Sequence, residues 1–304
     1  IYSAMTVLEF VVLLACGVTP FDAVTTSFAT AGTGGFAIYN SGFADYTHSA
    51  QYVVAVFMLL FGVNFSVYFL LIKRHFRQAL KNEELKWYGV IVASAVVLIT
   101  ISTRTMFDLA DAFRHAFFQV ASIITTTGFS STDFNLYPSF AKQIIMMLMF
   151  IGACAGSTGG GIKVSRITIL AKSFWNELAR LVHPRTVKKV RFEGKLVEHI
   201  TIRMVNVYLV AYIFVYVASL LIISLDDFGM NTNFSAVAAT INNIGPGLGT
   251  VGPTGNFGGF SDLSKYIFCF DMIAGRLEIF PMLVLLSPHT WHQTIRHRKT
   301  ANNQ

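Results

Sequence analysis

Three stretches decide the fold: Phe28-Ala29-Thr30-Ala31-Gly32-Thr33-Gly34-Gly35-Phe36, Ser122-Ile123-Ile124-Thr125-Thr126-Thr127-Gly128-Phe129, and Ala239-Thr240-Ile241-Asn242-Asn243-Ile244-Gly245-Pro246-Gly247-Leu248. Each runs from an apolar half-helix through hydroxyl or amide residues into Gly, followed by Phe or Leu. Taken singly, each reads as a Gly/Thr-rich surface turn. Recurring at equivalent positions between apolar helices, they read as an internal repeat of spanning helix, half-helix, Gly loop and spanning helix, with Gly35, Gly128 and Gly247 as its key glycines. Irregular backbone at membrane depth survives only where it is buried in protein or lines a water-filled path.

The surrounding sequence is that of a membrane protein. Of its 304 residues 54% are hydrophobic and 13% charged, against about 25% charged in a soluble domain. Apolar runs approaching the roughly 20 residues that cross a bilayer lie at 47–72, 87–102, 140–169 with an interruption, 202–225 and 264–286. A partial run at 1–15 lacks the basic flank and cleavage site of a signal peptide and reads as the tail of a helix begun upstream. Cys16, Cys154 and Cys269 sit in or beside apolar segments without metal-binding spacing and read as small hydrophobes.

Lys and Arg sort the connections into two kinds. Segment 73–86 carries Lys73, Arg74, Arg77, Lys81 and Lys86, segment 163–203 carries ten more, and the tail adds Arg296, Arg298 and Lys299. The positive-inside rule puts these in the cytoplasm, and topology rather than nucleic-acid binding explains the net charge of +7. Segments 17–48 and 226–262 hold no Lys or Arg, and 103–138 holds only Arg104 and Arg114. These face outward, where Asp22, Asp45, Asp108, Asp111, Asp133, Asp226, Asp227 and Asp262 would concentrate cations.

A cation crossing a membrane exchanges its hydration shell for protein oxygens, and a tight Gly-containing loop can aim successive backbone carbonyls at one axis. Thr33, Gly34, Gly35, Thr126, Thr127, Gly128, Asn243, Ile244, Gly245 and Gly247 are the candidate filter residues. A closed ring of such loops wants about four-fold geometry, so a fourth loop is expected before Ile1.

The run 140–169 is interrupted by Gly152-Ala153-Cys154-Ala155-Gly156-Ser157-Thr158-Gly159-Gly160-Gly161. Glycines at about 1 kcal/mol each relative to Ala predict a break in the helix inside the membrane. A phosphate-binding loop is rejected, because Ile162 separates Gly161 from Lys163 and an apolar span stands where a strand should be. A kink for close helix packing and a movable gate remain. Arg276 lies in the middle of the last apolar run, where a charge is costly and needs a partner or a water-lined cavity. Either it pairs with Asp271 or Glu278, or it points into a pore below the filter.

Together with Gly156-Ser157-Thr158-Gly159-Gly160-Gly161-Ile162-Lys163 and Arg276, the three loops resemble the Trk/Ktr/HKT superfamily of potassium transporters, most closely its TrkH family, over essentially the whole chain. The resemblance implies an all-α polytopic membrane protein with four helix-loop-helix repeats around one pore. This chain would hold the second (1–78), third (79–183) and fourth (184–304), the first being absent. Gly35, Gly128 and Gly247 would be the filter glycines that bind potassium. Gly152, Gly156, Gly159, Gly160, Gly161, Lys163 and Arg276 would form the gate beneath them. Further implications are a bacterial inner-membrane location and a homodimer docked on a cytoplasmic, nucleotide-binding, TrkA-like regulatory subunit, for which the basic segments 73–86 and 180–203 are available. The expected function is channel-like potassium uptake, with sodium left open because Gly at the filter suits both ions. Ion-coupled symport through the same loops is the alternative. The spans contain no acid/base or metal constellation, so neither enzymatic activity nor an organic cofactor is expected.

Overall fold

The computed structural model describes residues 1–183 and 189–286, and most of them are helical. Arg185 and Lys188 and the basic tail residues Arg296, Arg298 and Lys299 lie outside the described residues. The chain passes three times through one succession of elements. The first pass is α1 (Tyr2–Ala15), α2 (Pro20–Ala31), α3 (His48–Phe61) and α4 (Phe65–Ile72), with a short α5 (Phe76–Lys81) after it. The second is α6 (Glu83–Thr103), α7 (Leu109–Ile124), α8 (Ser139–Phe150) and α9 (Val164–Val182). A hairpin of β1 (Arg191–Phe192) and β2 (Lys195–Leu196) leads into the third: α10 (His199–Ile223), α11 (Met230–Ile241), α12 (Asp262–Arg276) and α13 (Ile279–Leu286).

The lengths follow from the sequence. Glu83–Thr103 and His199–Asp226 are long and apolar enough to cross a bilayer, and α3 with α4 adds a third crossing if the bent pair is one span. The half-helices α2, α7 and α11 are shorter; α7 and α11 are the most deeply buried of them, whereas α2 turns Phe21 and Phe28 outward. Thr19 starts α2 by accepting the Asp22 N–H, with Pro20 in the first turn, where its missing N–H costs nothing. Phe118, Val120, Ala121, Ile123 and Ile124 of α7 and Ala236 to Ala239 of α11 are at most 1% exposed. The longer helices wrap them and turn Val, Leu and Phe side chains outward, among them Val97, Ile101, Val210 and Phe214. Phe150 meets Tyr212, Tyr216 and Phe234 edge to face, joining the second pass to the third.

Two expected spans are broken. Segment 47–72 bends by 92° between α3 and α4: Gly62 ends α3, and Asn64 restarts the chain by accepting the Ser66 N–H at 2.8 Å. Segment 264–286 breaks after Arg276, with Glu278 in the left-handed region at φ 64°. The expected interruption of 140–169 is present and occupies residues 151–163. The first break is held open by that segment, because the Cys154 N–H donates to Gly62 O at 3.0 Å and the Phe65 N–H to Gly156 O at 3.2 Å. Hydropathy cannot reveal such a bend, since both sides of it are apolar. Cys154 is buried as read from the sequence, whereas Cys269 is exposed.

Where α12 crosses α11, a Cβ on Gly275 would run into the backbone carbonyl of Ile241. Gly275→Ala should therefore cost about 1–3 kcal/mol through overpacking, read as a lowered unfolding midpoint in detergent. Gly89→Ala on α6, where a Cβ meets nothing within 4 Å, should leave that midpoint unchanged or raise it.

Candidate functional site

All three half-helices end in the same way. Their last carbonyls have no partner within the helix, and the chain supplies one by curling back. Gly34 N–H donates to Ala29 O at 2.8 Å, Thr127 N–H to Ser122 O at 2.9 Å and Ile244 N–H to Ala239 O at 2.8 Å. One residue earlier, Thr33, Thr126 and Asn243 donate to Thr30 O, Ile123 O and Thr240 O at 3.0–3.1 Å. This is a Schellman cap three times over. It forces the residue after the cap into the left-handed region: Thr33 at φ 50°, Thr126 at φ 57° and Asn243 at φ 57°. Asn tolerates that region, but for β-branched Thr it is strained.

Two residues further on, each loop has a glycine with positive φ: Gly35 at 64°, Gly128 at 89° and Gly245 at 104°. A Cβ on Gly35 would run into the carbonyl oxygen of Thr127, and one on Gly128 into that of Ile244, so the first loop seats directly against the second and the second against the third. Gly35, Gly128 and Gly245 line one cavity of about 270 Å³, together with Phe129 and Pro246. The sequence reading put Gly247 in this position, and the structure corrects it to Gly245. Gly247 lies beyond the turn, with Val251 Cγ2 and Ser235 Oγ within 2.9 Å of where its Cβ would be, and its N–H bonds to Val251 O at 2.7 Å. Matching on the apolar residue after Gly misled the alignment. The distance from the helix cap is what sets the position, and Pro246 is the residue that follows Gly245.

Directly beneath the loops lies the 151–163 segment. Its neck is closed by Gly152 N–H to Ile162 O at 2.8 Å and Val164 N–H to Ala153 O at 3.2 Å. Its tip reaches the glycine loops: Gly160 N–H donates to Thr126 Oγ1 at 2.6 Å, and Thr33 Oγ1 donates to Thr158 O at 3.1 Å. The side chains of the strained left-handed residues are thus the groups that touch the segment below. In the third loop the equivalent Asn243 Nδ2 bonds to Met272 O on α12 at 3.0 Å. Lys163 donates to Gly159 O and sits 3.5 Å from Gly160 O, while Gly156 and Gly161 turn the chain at φ 68° each.

Arg276, at the end of α12, pairs with neither carboxylate weighed from the sequence. Glu278 takes Arg166 at 2.7 Å, and Asp271 accepts from Ser219 Oγ at 2.7 Å. The guanidinium instead donates to Gly32 O at 3.2 Å, Thr158 O at 3.3 Å and Thr33 Oγ1 at 3.4 Å. It therefore bridges the third pass to the first loop and the 151–163 segment, at the negative end of α2. Asp22, expected to charge the outer face, is buried. Glu84, which accepts the Ala155 N–H of the 151–163 segment and the Ser165 N–H of the first turn of α9, escaped the sequence reading because it lies in what reads as a basic connection. Its signal was the Asn82-Glu83-Glu84 helix start.

Residues 1–293 match the TrkH family, described as cation transport protein. The chain is 36% identical to the Trk system potassium uptake protein TrkH of Vibrio parahaemolyticus, covering 96% of this chain and 61% of that protein. To the TrkH protein of Escherichia coli K12 it is 35% identical at the same coverage, and to TrkG of that strain 31% identical. The crystal structure of the potassium transporter TrkH from Vibrio parahaemolyticus superposes with a TM-score of 0.89 at 35% identity, covering 95% of this chain and 63% of that one. The chain thus spans about three fifths of the length of these relatives.

Thr126 tests the contact between loop and segment. Thr126→Val keeps the shape but removes the acceptor of the buried Gly160 N–H, and should cost about 1–3 kcal/mol in thermal unfolding. Thr126→Asn, which tolerates the left-handed region and retains an acceptor, should recover most of that loss.

Proposed function

The chain belongs to the TrkH family of cation transport proteins, and from this premise we propose that it forms most of a channel-like potassium uptake pore in a bacterial inner membrane. One observation carries the reading: three identically capped half-helices bring Gly35, Gly128 and Gly245 to one cavity. The backbone oxygens of 33–35, 126–128 and 243–245 would replace the hydration shell of a potassium ion. The carbonyl ends of the half-helices add partial negative charge at the same place.

The 151–163 segment is the gate. It lies under the loops, is held there by single hydrogen bonds, one donated by Thr33 and one accepted by Thr126, and by Arg276, and its glycines let it take another shape. Arg276 adds a fixed positive charge beneath the ion path. Homodimerisation and a nucleotide-binding regulatory subunit remain part of the proposal. The exposed cations Lys73, Arg74, Arg77, Lys81, Lys189, Arg191 and Lys195 offer it a docking face.

In the full-length protein reconstituted into vesicles, Gly245→Ser should lower potassium over sodium preference by about tenfold, or about 1.4 kcal/mol of discrimination. The space around Gly245 is open, so the added side chain meets no neighbour; it does strain the backbone at φ 104°, and a melting midpoint on the same preparation separates that effect from the loss of selectivity. Unchanged selectivity would overturn the filter assignment.

Arg276→Ala should raise cation flux about tenfold or more, as a charge roughly 10 Å from the ion at an effective dielectric constant near 20 opposes it by about 1.7 kcal/mol. A melting midpoint taken on the same preparation separates the alternatives. A weakened protein with no extra flux would make Arg276 a structural tie and nothing more.

A further inference from the structure

The 151–163 segment is held from above by the filter loops and from the side by one carboxyl group. Glu84 is 2% exposed, and its Oε1 accepts the Ala155 N–H at 2.7 Å and the Ser165 N–H at 3.0 Å. Ala155 lies inside the segment and Ser165 just past its end in the first turn of α9, so one oxygen ties the two sides of the neck together near where the Ile151 and Ile162 backbones already pair. A buried carboxyl needs such bonds, and the two amides would be orphaned without it.

Its sequence neighbours face elsewhere. Glu83 pairs with Lys172 of α9 and accepts the Glu193 N–H at 3.3 Å. Asn82 caps α6 by accepting the Leu85 N–H at 2.8 Å and donates to Glu193 Oε1 at 2.6 Å. Lys172 also bonds to Arg191 O at 2.8 Å. Glu193 and Gly194 form the positive-φ turn of the β1–β2 hairpin. Three consecutive residues therefore connect the hairpin, on the basic side of the molecule, to the neck of the segment under the filter.

We propose that Asn82-Glu83-Glu84 is a latch: Glu84 holds the neck of the 151–163 segment shut, and Asn82 and Glu83 tie that hold to the β1–β2 hairpin, so that loosening the hairpin loosens the segment. Its consequence for transport rests on the reading of this segment as the gate. Glu84 is a positioning residue, since it acts on the ion path only through the backbone it binds.

Hydrogen–deuterium exchange of the full-length protein in vesicles tests the latch directly. Glu84→Ala should speed exchange of the amides around 152–165 by about tenfold, the loss of charge-assisted bonds that close a local opening, with α7 still protected. Glu84→Gln keeps an acceptor oxygen and should restore protection. Glu83→Ala and Lys172→Ala cut only the hairpin side, and should speed exchange in the same segment by a smaller factor. If Glu84→Ala does not fold, these two variants decide. Unchanged exchange at 152–165 in folded Glu84→Ala, or a rise confined to the hairpin in Glu83→Ala and Lys172→Ala, would overturn the latch. Cation flux on the same preparations separates the two readings: faster exchange without faster flux upholds the latch and overturns the gate.

Discussion

Backbone N–H and C=O groups cannot be left to lipid, and the molecule is arranged around that constraint. Half-helices that stop at the centre of a membrane protein expose carbonyls at their ends, and a glycine-rich segment beside them exposes both kinds of group. Here each supplies the other. The caps absorb the first carbonyls, Thr126 takes the Gly160 amide, Thr158 O takes Thr33 and Arg276, and Gly62 O takes the Cys154 amide. The three glycine loops and the 151–163 segment act as one another's solvent. The bends in the second long helix of each pass leave the room in which they do so.

This mutual support also explains how strain is retained. A left-handed conformation costs an L-residue about 1–2 kcal/mol, and Thr33 and Thr126 both adopt it. Each side chain recovers a comparable amount from its one or two hydrogen bonds, at about 0.5–1.5 kcal/mol each. The terms are close in size, so the shape of the loops depends on what lies under them. Asn243, the residue that tolerates the left-handed region best, stands in the loop whose side chain bonds to α12 and not to the segment.

Arg276 links distant parts of the chain in the same way. Its donors end on oxygens of Gly32, Thr33 and Thr158, so the last pass is fastened to the first through the segment between them. A guanidinium suits that position because its planar set of donors can serve several acceptors at once. Carbonyl oxygens at a helix C-terminus give it negative partners without a second formal charge.

Much of this was legible in the residues themselves. The recurrence of Gly-Phe-type loops after apolar half-helices, the length and hydropathy of the spans, the glycine density at 152–161 and the central place of Arg276 are local properties, and local chemistry dictates what they can do. Helix ends need caps, and left-handed turns need Gly, Asn or a strained substitute. Only the tertiary structure decided which groups meet. It aligned Gly245 rather than Gly247 with Gly35 and Gly128, broke 47–72 and 264–286, gave Arg276 carbonyl partners in place of Asp271 or Glu278, and put Glu84 on Ala155, 71 residues away. A hydrogen-bonding group announces in the sequence that it needs a partner. Which partner it finds depends on how separate helices pack, and no local pattern records that.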